Sequence, residues 1–145
     1  MSSGYARDFR ELVVYQRQRE LARQIFDRSS HFPRDEAYSL TNQVRRSSRS
    51  IGAQIVEAWA KRRYQPHFIS KLTDADAEQR ETQHWIETAC DCNYLDLGES
   101  APLLSLCNEI GRMLNAMITR ADEFCAEHSD RAREDPNEFF CQSEN

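Results

Sequence analysis

Glycine and proline number only four each in 145 residues, too few to turn the chain of a loop-rich or all-β fold. Lysine is almost absent: 17 of the 19 basic residues are arginine, whose planar guanidinium favours bidentate contact with carboxylate or phosphate over plain solubilising charge. No apolar run nears the roughly 20 residues that cross a bilayer. The opening MSSGYARDF has no apolar signal core, so the chain reads as cytoplasmic, without a membrane partner. Five cysteines, at 90, 92, 107, 125 and 141, form neither an even set nor a zinc-knuckle spacing; Cys90, Cys107 and Cys125 fall on apolar stripes and read as buried thiols. Glycine-rich phosphate loops are missing, with Gly52, Gly98 and Gly111 far apart.

Apolar residues are scarce too, at 39%, beside 30% charged. A core that modest implies thin elements, or a surface completed by further copies of the chain. The formal net charge of −5 conceals a division. Residues 1–71 hold 14 basic and 7 acidic side chains, and residues 72–145 hold 5 and 17. Opposed halves either neutralise each other, within a fold or between copies, or leave a basic face for a polyanion.

What the sequence does have is helical period, in four segments. The first, Asp8 to Ser30, places Phe9, Leu12, Val13, Leu21, Ile25 and Phe26 on one stripe, with Asp8 as N-cap and Glu11 completing a capping-box pair. Phe32-Pro33 stops it. The second, capped by Asp35 or Ser39, runs to Tyr64 along Leu40, Val44, Ser47/Ser48, Ile51, Ile55 and Ala58. Small residues at its middle (Ser47, Ser48, Gly52, Ala53) allow a neighbouring helix close. The third, His67 to Leu95, aligns Phe68, Leu72, Ala75, Gln79, Thr82, Ile86 and Ala89, with Pro66 ahead of it as a first-turn proline. The fourth, Ala101 to Glu127, is the most regular, following Leu103, Leu106, Cys107, Ile110, Met113, Leu114, Met117, Ala121, Phe124 and Cys125. Leu97-Gly98-Glu99-Ser100 separates the last two, with Gly98 ending one helix and Ser100 capping the next. Four long helices with short links predict an all-α, antiparallel up-down-up-down four-helix bundle over residues 8–127. Residues 1–7 are expected to be a flexible N-terminus, and residues 128–145 (HSDRAREDPNEFFCQSEN) a disordered acidic tail.

Catalytic chemistry finds little footing. A di-iron bundle needs two Glu-x-x-His motifs and two further carboxylates; Glu81-Thr82-Gln83-His84 supplies one motif, Glu57 is a candidate carboxylate, and no second motif exists. His31, His67, His84 and His128 have no Ser or Cys at a spacing that marks a catalytic pair. The expectation is a non-enzyme with no metal and no cofactor.

The second segment carries two polar features. Gln43, Ser47, Ser50, Gln54, Glu57 and Lys61 recur at steps of 4 and 3, a line about 60° around the helix from the apolar seam. Amides and carboxylates at the edge of a core need partners, so Gln43, Ser50, Gln54 and Glu57 read as a polar helix–helix or subunit seam, with a solvated face as the alternative. Beside them cluster Arg45, Arg46, Arg49, Lys61, Arg62 and Arg63, with Glu57 as the one acid. These pair with acids of the third segment or of a neighbouring copy, or else they face phosphates, with Trp59 and Tyr64 nearby for stacking.

Several runs carry a family resemblance: F-x-E-L-x-V-Y-x-x-x-x-E-L-A from Phe9 to Ala22, F-P-x-x-E-x-Y-x-L from Phe32 to Leu40, Q-V-R-R-S-S-x-S-I-x-x-Q-I-x-E from Gln43 to Glu57, and Ala77 followed by Glu81-Thr82-Gln83 and Trp85. Over about residues 8–125 the chain resembles the four-helix-bundle family first noticed as reading frames in intervening sequences of bacterial large-subunit ribosomal RNA genes. The resemblance implies a bundle that assembles as a ring-like homopentamer and has no established biochemical activity. A related branch, the accessory proteins of diversity-generating retroelements, implies RNA or DNA, and a reverse transcriptase or other nucleic-acid enzyme, as partners. Two departures stand out. Gln54-Ile55-Val56-Glu57-Ala58 replaces the family's Asn-Ile-x-Glu-Gly, and the net charge of −5 contrasts with the basic character of the nucleic-acid binders.

Overall fold

A computed structural model describes residues 6–125. Among them there is no strand. Four helices dominate: α1 (Val13–Ser29), α2 (Asn42–Ala60), α3 (Gln65–Asp91) and α4 (Leu97–Thr119). The expected tail, 128–145, and most of the expected N-terminal segment lie outside the described residues; Ala6 packs against the core.

Cross-helix contacts fix the directions. Gln18 meets Ser48 and Arg45 meets Ser29, so α1 and α2 run antiparallel. Arg46 reaches Glu81, and Glu57 reaches Lys71, giving the same relation for α2 and α3. Phe68 stacks on Phe124 while Gln79 lies against Gly111, and Arg17 and Arg28 pair with Glu109 and Glu99. Each helix therefore packs antiparallel against the next, and α4 closes on α1.

The core is one continuous set of side chains, including Leu21, Ile25, Ile51, Ile55, Phe68, Leu72, Ile86, Leu103, Ile110 and Leu114. A polar layer crosses it. The Thr82 and Ser47 hydroxyls sit 2.9 Å apart in the buried α2–α3 seam, and Gln18 Nε2 donates to the Ser48 carbonyl at 2.9 Å. Buried polar groups persist because they are paired, and such a layer admits one helix register. Gly52 exists for this layer: a Cβ there would stand 2.4 Å from Gln18 Oε1.

The helix ends depart from the expected boundaries for local reasons. The first helix is not continuous from Asp8. Asp8 caps only a 3₁₀ turn, Phe9–Glu11, Leu12 is extended, and α1 starts at Val13. Glu11 accepts from the Arg7 N–H rather than completing a box with Asp8. The break lets Phe9 pack edge-on to Tyr15, with ring centroids 5.1 Å apart. Neither Asp35 nor Ser39 caps the second segment; a 3₁₀ turn, Arg34–Glu36, and a π-helical turn, Ala37–Thr41, lead into α2 without a side-chain cap.

Gly98 does not end α3. Asn93 takes that role at φ 63°, with Tyr94 N–H donating to the Ala89 carbonyl and Asn93 N–H to that of Cys90, a Schellman turn. Asp96, not Ser100, caps α4. It accepts from Glu99 N–H at 2.7 Å, and Glu99 accepts in return from Asp96 N–H. Helix α4 pauses at Arg120, and residues 121–125 are again helical.

Candidate interaction surfaces of the second helix

Helix α2 carries polar side chains on both sides of its buried seam. The spacing of its side chains divides them between two flanks. One flank meets α3 and carries the stripe read from the sequence; the other meets α1.

On the α3 flank, Ser47 is buried against Thr82, and Gln43, Ser50 and Gln54 are half-buried on the same stripe. Glu57 is exposed and binds Lys71 Nζ at 3.0 Å, while Lys61 is exposed beyond it. The stripe thus runs from core at one end to solvent at the other. Gln54 Oε1 is buried without a hydrogen-bond partner among the described residues, and so is Glu78 Oε2 across the seam. Glu78 belongs to a row of α3 carboxylates, Asp74, Glu78 and Glu81, spaced to share one face. Arg46 is their one cation, bonded to Glu81 and 3.7 Å from Glu78. Burial, reinforced by the neighbouring Glu81 and Asp74 charges, raises the Glu78 carboxyl above the ordinary glutamate value of 4.5 despite Arg46.

The six basic residues do not form a single face. Arg45 lies over the C-terminal end of α1, donating to Ser29 Oγ at 2.8 Å and capping the Phe26 carbonyl, with its guanidinium 4.6 Å from the Phe26 ring centroid. It is half-buried, and no acid pairs with it among the described residues. Arg46 turns to the acids of α3. Arg62 folds back onto Trp59, 3.9 Å from the ring centroid, and donates to the Trp59 carbonyl. Lys61 and Arg63 are exposed at the end of the helix.

Arg49 belongs elsewhere, in a groove of about 550 Å³ between α1 and α2. Arg19 and Arg23 of α1 share it, together with Tyr15, Phe26 and the floor residues Gly52 and Ala53; Asp27 is its one acid. Arg19 contacts the Tyr15 hydroxyl at 3.3 Å. Arg23 and Arg49 have no ion-pair partner among the described residues. A second depression of about 440 Å³ continues the groove past Arg10. Sequence reading centred on α2 passes over Arg19 and Arg23. Their signal is a line on one face of α1 (Tyr15, Arg19, Arg23 and Phe26 at steps of 4, 4 and 3) that places two cations beside two aromatics.

Metal chemistry gains nothing from this arrangement. Among the described residues no three His, Cys, Asp or Glu side chains group so as to hold a metal ion. Glu81 is committed to Arg46, and His84 packs on Trp85 with centroids 4.7 Å apart. No helix of the described residues is long and apolar enough to cross a membrane.

The model of the 23S rRNA-intervening sequence protein family matches residues 10–116. The chain belongs to that family. A crystal structure of a protein of unknown function from the S23 ribosomal protein family of Bacteroides thetaiotaomicron VPI-5482 is similar, with a TM-score of 0.68 and 28% identity, covering 74% of this chain and 96% of that one. No curated protein matches the chain in sequence. The stretch matched by the 23S rRNA-intervening sequence protein family includes the α1–α2 groove and the α3 carboxylate row in full, so both lie in the part of the molecule that the family defines.

Proposed function

We propose that this protein is a non-enzymatic helical bundle whose activity is to assemble with copies of itself, closing as a ring-like homopentamer. The observation that carries this reading is where the bundle leaves large apolar side chains in water. Tyr38 and Leu97, both 83% exposed, stand with Phe26 at one end; Val13 and Tyr64 stand at the other. Isolated exposed apolar residues are ordinary, but five around so small a core leave surface that further copies can cover. Family membership adds weight to the reading.

Light scattering coupled to size exclusion at micromolar concentration tests it. A mass near five times 17.0 kDa is expected, and a clean monomer would end the proposal.

A second reading, an RNA- or DNA-binding accessory protein, is favoured by one observation: unpaired Arg23 and Arg49 beside Tyr15 and Phe26 make a cationic, aromatic groove. Of the cluster on α2, Arg49 and Lys61 extend toward that role, since Arg45, Arg46 and Arg62 are held within the fold. This reading predicts binding whose affinity falls steeply with salt. Failure of a structured RNA to bind at low salt removes it.

A further inference from the structure

We infer that the contact between copies is heterologous and electrostatic: the basic α1–α2 groove of one copy receives the α3 carboxylate row of the next. The inference rests on the self-association proposed above and assigns the surfaces that carry it. Groove and row are near mirror images in charge. The groove gathers three arginines, Arg19, Arg23 and Arg49, around a single acid, Asp27. The row sets three carboxylates, Asp74, Glu78 and Glu81, against a single cation, Arg46. Like charges held together with less than full neutralisation raise the energy of the isolated copy, and juxtaposing the two surfaces relieves both at once. Burial first, and the neighbouring Glu81 and Asp74 charges after it, hold the Glu78 carboxyl above its ordinary value. Shape agrees, because small residues (Ala22, Gly52, Ala53) floor the groove and admit an approaching helix.

The positions of the two surfaces also limit how many copies close a ring. They occupy adjacent sides of the bundle, since α2 borders both. Adjacent sides of a four-helix bundle look outward roughly 90° apart. Seen from one member, the two neighbours lie about 90° apart in a ring of four and about 108° apart in a ring of five, whereas opposite sides would propagate an open filament. Adjacent surfaces therefore close small rings, which agrees with five and disfavours fibres.

Charge exchange in the full-length chain is the test. Arg23→Glu with Arg49→Glu reverses the groove without touching any hydrogen bond of the fold, and Asp74→Arg with Glu81→Arg reverses the row. Circular dichroism establishes that each variant remains helical. Each alone should run as a monomer, its association weakened by about 100-fold or more. A chain carrying both reversals should regain the multimeric mass, because each acidic groove then meets a basic row on the next copy. A groove variant that keeps the wild-type mass overturns the assignment, as does a doubly reversed chain that stays monomeric. Loss of RNA binding with no change in mass would overturn it in favour of a nucleic-acid groove. A wild-type monomer would instead defeat self-association itself, so the two failures are distinguishable.

Discussion

Gly52→Ala is the substitution whose outcome follows most directly from the packing. In an ordinary helix interior it would stabilise by about 1 kcal/mol through helix propensity. Here the new Cβ would meet Gln18 Oε1 at 2.4 Å and Cδ at 2.6 Å, so the whole amide must leave. Leaving forfeits the 2.9 Å bond from Gln18 Nε2 to the Ser48 carbonyl, worth about 1 kcal/mol, and strands a buried amide at a cost of about 1–3 kcal/mol. The net effect is a destabilisation of about 1–3 kcal/mol, or roughly 4 °C in Tm per kcal/mol for a domain of this size. In a Gln18→Ala background the obstruction is gone, and the same substitution should stabilise by up to about 1 kcal/mol. The assay is a double-mutant cycle by thermal unfolding at one fixed protomer concentration, because association shifts apparent stability. An expected coupling of about 2–4 kcal/mol separates the two backgrounds. If Gly52→Ala raises Tm in the wild-type background, or shifts it equally in both, the close approach of Gln18 is not what selects glycine.

Two further outcomes are expected. Glu78→Gln removes a carboxyl that burial and neighbouring acids hold above its ordinary value. Between the unfolded and folded values the native state binds the extra proton, so ionising Glu78 costs stability as pH rises. The variant should therefore melt above wild type at neutral pH and converge with it as pH falls below about 4, measured by melts across a pH series. Arg45→Ala should cost about 1–2 kcal/mol by losing the α1 cap and the stacking on Phe26. Arg45→Lys should recover less than half of that in chemical denaturation, since an ammonium cannot span Ser29 and Phe26 as a guanidinium does.

The third and fourth helices were legible from spacing. All seven residues expected on the third stripe are the seven buried in α3, with polar Gln79 and Thr82 among them. The fourth stripe is buried or half-buried throughout. The first helix differs. Val13 and Phe26 are exposed, while Val14 and Gln18 are buried. Its phase is set by Val14, Gln18, Leu21 and Ile25, and a buried glutamine in the middle masks that phase in any count of apolar residues. Boundaries failed where one residue type substituted for another: Asn93 supplies the left-handed backbone expected of Gly98, and Asp96 the cap expected of Ser100.

The stripe on α2 was visible as a period. Which flank each arginine takes was not, because a helix end such as Phe26–Ser30 draws Arg45 through carbonyls and hydroxyls that carry no charge signature. The groove escaped for the same reason, being made by two segments whose separation in sequence says nothing of their adjacency.

The break at Leu12 has a practical side. By ending the helix early, it turns the Phe9–Glu11 segment beside Tyr15, so that Arg10 and Tyr15 border the same depression as Arg19 and Arg23. Anything fused ahead of the chain joins the described structure at Ala6, four residues from Arg10. A polyhistidine or solubility tag on that terminus is thus tethered at the mouth of the groove. Copies purified with the tag in place and found monomeric would report on the tag, so mass measurements belong on protein from which it has been cleaved, or on chains tagged at the other end.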